Sequence, residues 1–208
     1  MKLGVVFFHK DLDKIYNKEW IEDCINSIRN QTINDLHLYE IDYGGNETNL
    51  SGTEKFYSVN KENYADAMNF IITEAFNDGC DYVFNTNLDD VYNQDRIEKQ
   101  IEYLEKGYDL VSSDFRYVDQ DGNHKFDMIL SVHNGNIKSQ LNLEHNVIGH
   151  PGVAYTKNFW ESNRYDITKT PAEDLDLWKR AINKGYLFYI VPEILFMYRI
   201  HQNQVSNK

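Results

Sequence analysis

Three times in this chain a helix-like stretch runs into a glycine and an apolar run begins almost at once: Asn77-Asp-Gly79-Cys-Asp-Tyr-Val-Phe84, Glu105-Lys-Gly107-Tyr-Asp-Leu-Val111 and Asn183-Lys-Gly185-Tyr-Leu-Phe-Tyr-Ile-Val191. Glycine just past a last helical turn takes the left-handed backbone without a Cβ penalty, so it stops the helix. Repeated helix–glycine–strand units imply crossover connections between parallel strands. The expected fold is α/β: a mainly parallel central sheet flanked by helices. A length of 208 residues suits one such domain with a substantial core.

Periodicity places the elements. A first strand is expected near Leu3–Phe8 and a helix near Glu19–Asn30, with Trp20, Cys24, Ile25 and Ile28 on its inner side. Strands follow near Leu36–Tyr43 and Lys55–Val59. A helix near Tyr64–Asn77 turns Ala67, Phe70, Ile71 and Ala75 inward. A strand at Tyr82–Asn85, a helix near Asp95–Lys106 and a strand at Leu110–Val118 lead to a hairpin turn at Asp121-Gly122. A helix near Ala172–Lys184 and the apolar run Tyr186–Ile200 close the domain. Residues 127–149 show no clear period.

The chemistry-bearing residues cluster. Tyr82-Val-Phe-Asn-Thr-Asn87-Leu-Asp89-Asp90 delivers oxygen-bearing side chains to the carboxyl end of a strand, the edge where open α/β sheets bind ligands. Alternation would turn Asn87 and Asp89 to one side, with Asp90 opening the next loop. Adjacent carboxylates fit a hard cation, Mg²⁺ or Mn²⁺, whose usual partner is a substrate phosphate. A solvated acidic turn explains them equally. A second acidic group, Glu173-Asp174-Leu-Asp176-Leu-Trp178, follows Thr170-Pro171 at a helix start. Its acids complement the helix dipole, or one of them is a general base. Asp42 ends a strand and either meets a nucleobase or turns the chain before Gly44-Gly45. Arg199 and His201 share one face of the last strand, where they suit a diphosphate or stand on the surface.

The formal net charge of −12 argues against nucleic-acid or anionic-membrane partners, which call for basic patches. A local cation is then the natural means of holding an anionic nucleotide. Cys24 and Cys80 form no paired motif and read as reduced, buried thiols. The run Leu3–Phe8 is too short for a signal peptide or membrane span, so the expected compartment is the cytoplasm.

Taken in order, these motifs resemble the family two glycosyltransferases. Ser27-Ile-Arg-Asn-Gln31-Thr32 and Ile41-Asp42-Tyr-Gly44 parallel the family's opening. Asn87-Leu-Asp89-Asp90-Val-Tyr-Asn-Gln-Asp95-Arg96-Ile-Glu-Lys-Gln100 parallels its acidic motif. Glu173-Asp174-Leu-Asp-Leu-Trp178, Gly185-Tyr186, Pro192-Glu193 and Tyr198-Arg199-Ile-His201 parallel its later motifs. The chain departs from the pattern at Phe7-Phe-His9-Lys10, at Met68, where the family carries arginine, and at Asn87, where it carries an acid.

The resemblance implies a single GT-A-like domain over 1–208, with a nucleotide-sugar part at 1–120 and an acceptor side at 121–208. It implies an inverting transfer from a nucleoside-diphosphate sugar, a UDP-sugar for preference, to a glycan or other hydroxyl. Asp42 would meet the base and Asn87 the ribose. Asp89 would hold Mn²⁺ or Mg²⁺, with Arg199 and His201 near the diphosphate. Asp174 would be the base, with His150, Glu173 and Trp178 on the acceptor side. Two alternatives stay open: a non-catalytic nucleotide-sugar-binding domain, and a nucleotidyltransferase of similar sheet. The loop 44–54 and residues 127–149 are expected to select sugar and acceptor.

Overall fold

The computed structural model describes residues 1–47, 49, 50, 52–202 and 204. Thr48 and Ser51 of the expected selectivity loop lie outside the described residues, as do Asn203 and 205–208. The elements in chain order are β1 (Leu3–His9), α1 (Leu12–Ile15), α2 (Lys18–Arg29), β2 (Leu36–Asp42), β3 (Lys55–Ser58), α3 (Tyr64–Asn77), β4 (Tyr82–Thr86), β5 (Val91–Tyr92), α4 (Arg96–Leu104), β6 (Leu110–Val118), β7 (His124–Met128), α5 (Ile137–Asn142), β8 (Ala154–Thr156), α6 (Lys157–Ser162), α7 (Glu173–Asn183) and β9 (Phe188–Arg199).

One sheet runs β3-β2-β1-β4-β8-β6-β9-β5, with β7 added to β6. Strands β1 to β4 are mutually parallel, and β9 runs parallel to β6. Among the described residues, only β5, β7 and β8 are antiparallel to their neighbours. The three punctuating glycines end α3, α4 and α7 with φ of +88°, +94° and +100°, the left-handed backbone that stops a helix. At their other ends, α2 and α3 are capped by side chains: Asn17 accepts from the Glu19 amide and Asn63 from that of Asp66.

Both faces of the sheet are covered, which is why β1 is buried along its whole length. Its alternation splits the core. Val6 and Phe8 pack with Ile71, Ala75, Leu177 and Trp178 beneath α3 and α7. Leu3, Val5 and Phe7 pack with Ile25, Ile28, Ile97 and Leu104 beneath α2 and α4. Cys24 and Cys80 are free and buried, as expected. No helix of the described residues is long and apolar enough to cross a membrane.

Two local expectations are corrected. Strand β4 ends at Thr86, so residues 87–90 form a turn, closed by Asp90 N–H on the Asn87 carbonyl at 3.3 Å, and strand alternation does not govern them. Trp20 is only half-buried, because α2 starts at the rim of the sheet rather than over it. The unreadable stretch 127–149 holds the end of β7, a single 3-10 turn at Ser131–His133, and α5. Asp114, on distant β6, accepts from both the amide and the hydroxyl of Ser131 at 2.7 Å each. A segment held by such long-range bonds carries no periodic signature.

Candidate active site

The carboxyl ends of β1, β2 and β4 put His9, Asp42 and the turn 87–90 on one rim. The turn is fastened from below. Asn87 N–H donates to the Tyr92 phenol oxygen at 2.8 Å, and the Cys24 thiol donates to the Asn87 carbonyl at 3.2 Å. These ties leave Asn87 and Asp89 part-exposed while Asp90 is buried. The outcome expected from alternation is thus reached by a different cause.

Asp89 and Asp90 play unlike parts. Asp89 Oδ2 lies 2.9 Å from His201 Nε2. Asp90 is 1% exposed, and its Oδ1 accepts the Arg199 amide at 2.9 Å. Burial, joined by the charge of Asp89, pushes the Asp90 carboxyl well above the usual carboxylate range. Arg199 then closes the knot: Nε donates to the Asp89 carbonyl and Nη1 to the Gln120 carbonyl, each at 2.9 Å. The Gln120 carbonyl also receives Trp20 Nε1 at 3.0 Å. The Trp20 ring lies 5.2 Å from the Arg199 guanidinium carbon and 4.7 Å from the His201 ring. A hollow of about 390 Å³ opens beside this knot between Lys14, Tyr16, Trp20 and Asp121.

The second acidic corner is the start of α7. Asp174 Oδ1 accepts the Leu175 amide at 2.7 Å, and Oδ2 accepts Asn146 Nδ2 at 2.8 Å. Glu173 is 6% exposed, and its Oε2 is buried without a partner. Burial raises its carboxyl above the usual range. Tyr64, at the start of α3, reaches both corners. Its hydroxyl makes a long 3.5 Å contact with Asn87 Oδ1, and its ring centroid lies 6.1 Å from that of His150. Burial and then the charge of Glu173 hold its phenol well above the ordinary value.

His150 stands between Tyr64 and Trp178, 5.8 Å from the latter, and burial lowers its imidazole against the opposing charge of Asp174. Trp178 itself is fully buried, with its ring against His150, Tyr155, Tyr165 and Phe188. Asp42, 1% exposed, accepts the amides of Gly44 and Asn46 at 2.9 Å each, the geometry of a turn-forming aspartate.

Several residues here escaped the sequence reading. Trp20, Tyr64, Tyr165, Gln120 and Asn146 carry no motif, and their roles come from tertiary contact. His9 and Glu40 form a fully buried pair at 2.8 Å. Glu40 also accepts the Leu50 amide and the Thr53 hydroxyl, both at 2.7 Å, so the pair anchors the loop 44–54. The register sets Glu40 beside Phe7 and His9 beside Asp42, so the pair joins residues offset along neighbouring strands and no local pattern marks it. Met68 is fully buried and belongs to the core rather than the rim.

Among the described residues, no three His, Cys, Asp or Glu side chains gather as a cage for an ion. That excludes an all-protein cage there and fits a cation held by one carboxylate together with substrate phosphates and water. Asp89, part-exposed and steadied by His201, suits that role. The buried, unpartnered Asp90 Oδ2 adds a second acceptor behind it.

Comparison with known proteins supplies the context. The family described as "Glycosyl transferase family 2" matches residues 14–160. The O-antigen biosynthesis glycosyltransferase WbnJ of Escherichia coli is 28% identical over 206 residues, covering 92% of this chain and 78% of that protein. The structure of S. aureus TarS 1–349 with UDP-GlcNAc superposes with a TM-score of 0.72 at 13% identity, over 100% of this chain and 61% of that one. The mannosyltransferase PcManGT of Pyrobaculum calidifontis, in complex with GDP-Man and Mn²⁺, gives a TM-score of 0.64 at 12% identity, over 97% and 57%. This chain therefore spans about three-fifths of the length of those solved chains. The likeness to them is one of fold, GT-A-like and mainly parallel.

Proposed function

The chain belongs to glycosyl transferase family 2, and on that premise we propose that it moves a sugar from a nucleoside-diphosphate donor to an acceptor hydroxyl, with inversion at the anomeric carbon. The observation that carries this reading is Tyr64, which reaches the Asn87–Asp89 turn on one side and the Glu173–His150 wall on the other. In this reading the two acidic corners, more than eighty residues apart in sequence, border one cleft.

Residues 1–120 form the donor side in this reading. Asp42 lies near the base, Asn87 near the ribose, and Asp89, oriented by His201, would hold Mn²⁺ or Mg²⁺. Such an ion, when bound, neutralises charge gathering on the departing diphosphate. Arg199 spends its Nε and Nη1 on carbonyls, so it serves by fixing the turn and by adding positive field. A UDP-sugar is the preferred donor, in keeping with the UDP-GlcNAc bound to the TarS structure.

Residues 121–208 form the acceptor side. The acceptor oxygen attacks the anomeric carbon from the face opposite the diphosphate, whose oxygen departs with the bonding pair. Asp174 takes the hydroxyl proton. Its two bonds, to Leu175 N–H and to Asn146, aim the carboxylate without neutralising it. The two free thiols fit a reducing compartment, the cytoplasm.

A thermal-shift series with UDP, GDP, UDP-GlcNAc and GDP-mannose, each with and without Mn²⁺, tests the reading, since a ligand stabilises by mass action. One nucleotide set should raise the melting temperature, and more so with Mn²⁺. No shift from any of them in either condition would refute it.

A further inference from the structure

From the middle of the sheet to the acceptor wall runs a chain of buried hydrogen bonds. Asn85 Nδ2 donates to the Tyr155 oxygen at 2.8 Å. The Tyr155 and Tyr165 hydroxyls are 2.6 Å apart. The Tyr165 hydroxyl lies 2.8 Å from His150 Nε2. Asn85, Tyr155 and Tyr165 are 1%, 0% and 3% exposed, so bulk water does not compete for these bonds. Tyr165 is also clamped at its backbone: its amide donates to Asn69 Oδ1 at 3.0 Å and its carbonyl accepts Asn69 Nδ2 at 2.9 Å.

The proton count along this chain has a direction. A phenol has one hydrogen to give. Tyr155 receives from Asn85, so its own hydrogen goes to Tyr165. The Tyr165 hydrogen then goes to His150 Nε2, which must be bare. Reversal would leave the Tyr155 hydrogen buried without an acceptor, or require the Asn85 amide to be turned over. Arg96 Nη2 donates to the main-chain carbonyl of Asn85 at 2.8 Å, which sets a cation beside this residue. Arg96 Nη1 and Asn85 Oδ1, a donor and an acceptor, are both buried without protein partners.

We infer that Tyr155 and Tyr165 are positioning residues that fix the His150 imidazole as an Nδ1–H donor directed at the acceptor hydroxyl. The inference rests on reading this cleft as the acceptor site. His150 is half-buried, with Nε2 turned inward, so its open edge carries Nδ1. Burial lowers its basicity, which keeps the ring neutral and the tautomer meaningful. The acceptor oxygen accepts from His150 Nδ1–H while its own hydrogen points to Asp174. One lone pair is left for the anomeric carbon.

The test is imidazole ¹⁵N NMR of the full chain at neutral pH, alongside UDP binding in Mn²⁺ and the slow release of UDP from UDP-GlcNAc, with water as acceptor. The wild type should show His150 protonated at Nδ1 and bare at Nε2. Tyr165→Phe should mix the tautomers, leave UDP affinity and the KM for UDP-GlcNAc unchanged, and lower kcat about tenfold, since a misassigned histidine tautomer is costly in proton transfer. Tyr155→Phe, which cuts the chain one link earlier, should act in the same direction. A wild-type proton on Nε2 would overturn the inference without any variant. So would a mixed tautomer in Tyr165→Phe with kcat unchanged. Absence of UDP binding to the wild type would strike the sugar-transfer reading instead, a result the tautomer spectrum cannot mimic.

Discussion

The backbone amide of Arg199 ends on the carboxylate of Asp90 at 2.9 Å, while the guanidinium of the same residue returns to the carbonyl of Asp89 at 2.9 Å. The end of the last strand is thereby stitched to both residues of the acidic turn. Arg199→Lys keeps the charge but loses the planar fork that spans the Asp89 and Gln120 carbonyls. It is expected to cost about 1–3 kcal/mol of stability, the range for bonds from a charged group. It should also raise the Mn²⁺ concentration needed for nucleotide binding. Chemical denaturation and calorimetric titration of UDP at graded Mn²⁺ would measure the two effects.

Asp89→Ala removes the only part-exposed carboxylate of that turn and leaves His201 without its 2.9 Å partner. Nucleotide affinity should lose most of its Mn²⁺ dependence, because the carboxyl groups left on this rim, Asp42 and Asp90, are buried. Calorimetry with and without the metal reads this directly. Retention of a Mn²⁺-dependent increase in affinity would place the ion elsewhere.

Glu173 gives a pH signature. Its folded pKa lies above the ordinary glutamate value, because burial disfavours the charge. The folded state therefore binds its proton more tightly than the unfolded state. This contribution to stability is present in full below the unfolded pKa and is lost as pH rises through the folded one. Glu173→Gln should leave stability unchanged in acid and raise it by about 1 kcal/mol at neutral pH, the scale of one relieved buried charge. Urea melts across pH 4 to 8 would show the two curves converging at the acid end (roughly the carboxylate titration range). Parallel curves would disprove the assignment.

The sheet was legible because glycine stops and buried apolar runs are local signals: Gly79, Gly107 and Gly185 each sit where the backbone turns left-handed. Helix α3 was readable to the residue for the same reason, with an asparagine cap at one end and that glycine stop at the other. The site was legible in its acids and not in its supports. Asp89 and Asp174 stand in dense carboxylate clusters, whereas Trp20 meets Gln120 and Tyr165 meets Asn69 only through the tertiary fold. The separation of Asp89 from Asp90 was read from alternation, yet it is produced by Tyr92, Cys24 and Arg199 pulling on a turn. Residues 127–149 stayed opaque because Asp114, not any local period, organises them.

Gly152 is a sharper stability test than any rim residue. A Cβ built there would stand 2.5 Å from Cε1 and 2.7 Å from Cδ1 of Phe196. That ring cannot step aside, since it is fully buried and stacked on Phe115 at 4.8 Å and near Tyr92 at 6.0 Å. Gly152→Ala should cost about 1–3 kcal/mol by overpacking, or roughly 2–12 °C in Tm for a chain of this size. Differential scanning calorimetry would detect it. An unchanged Tm would mean that the turn 150–152 packs differently.

Asp174 decides whether the second corner is chemical or only braces the first turn of α7. As a brace it supplies Oδ1 to the Leu175 amide, and asparagine can do the same. As a base it needs the ionised Oδ2, which asparagine lacks. Asp174→Asn should therefore cut transfer by about 10²–10⁴-fold, the usual worth of a positioned base, with UDP affinity unchanged. Its cost in stability should be small, about 1 kcal/mol. The new Nδ2 faces Asn146 Nδ2, whose amide must turn and give up the Ile148 amide that its Oδ1 accepts at 3.2 Å. Asn146→Ala separates this rearrangement from the chemistry: it frees Oδ2 but keeps the carboxylate, so transfer should fall by only about tenfold. Near-equal losses in the two variants would show that aim, not proton removal, is what Asp174 provides.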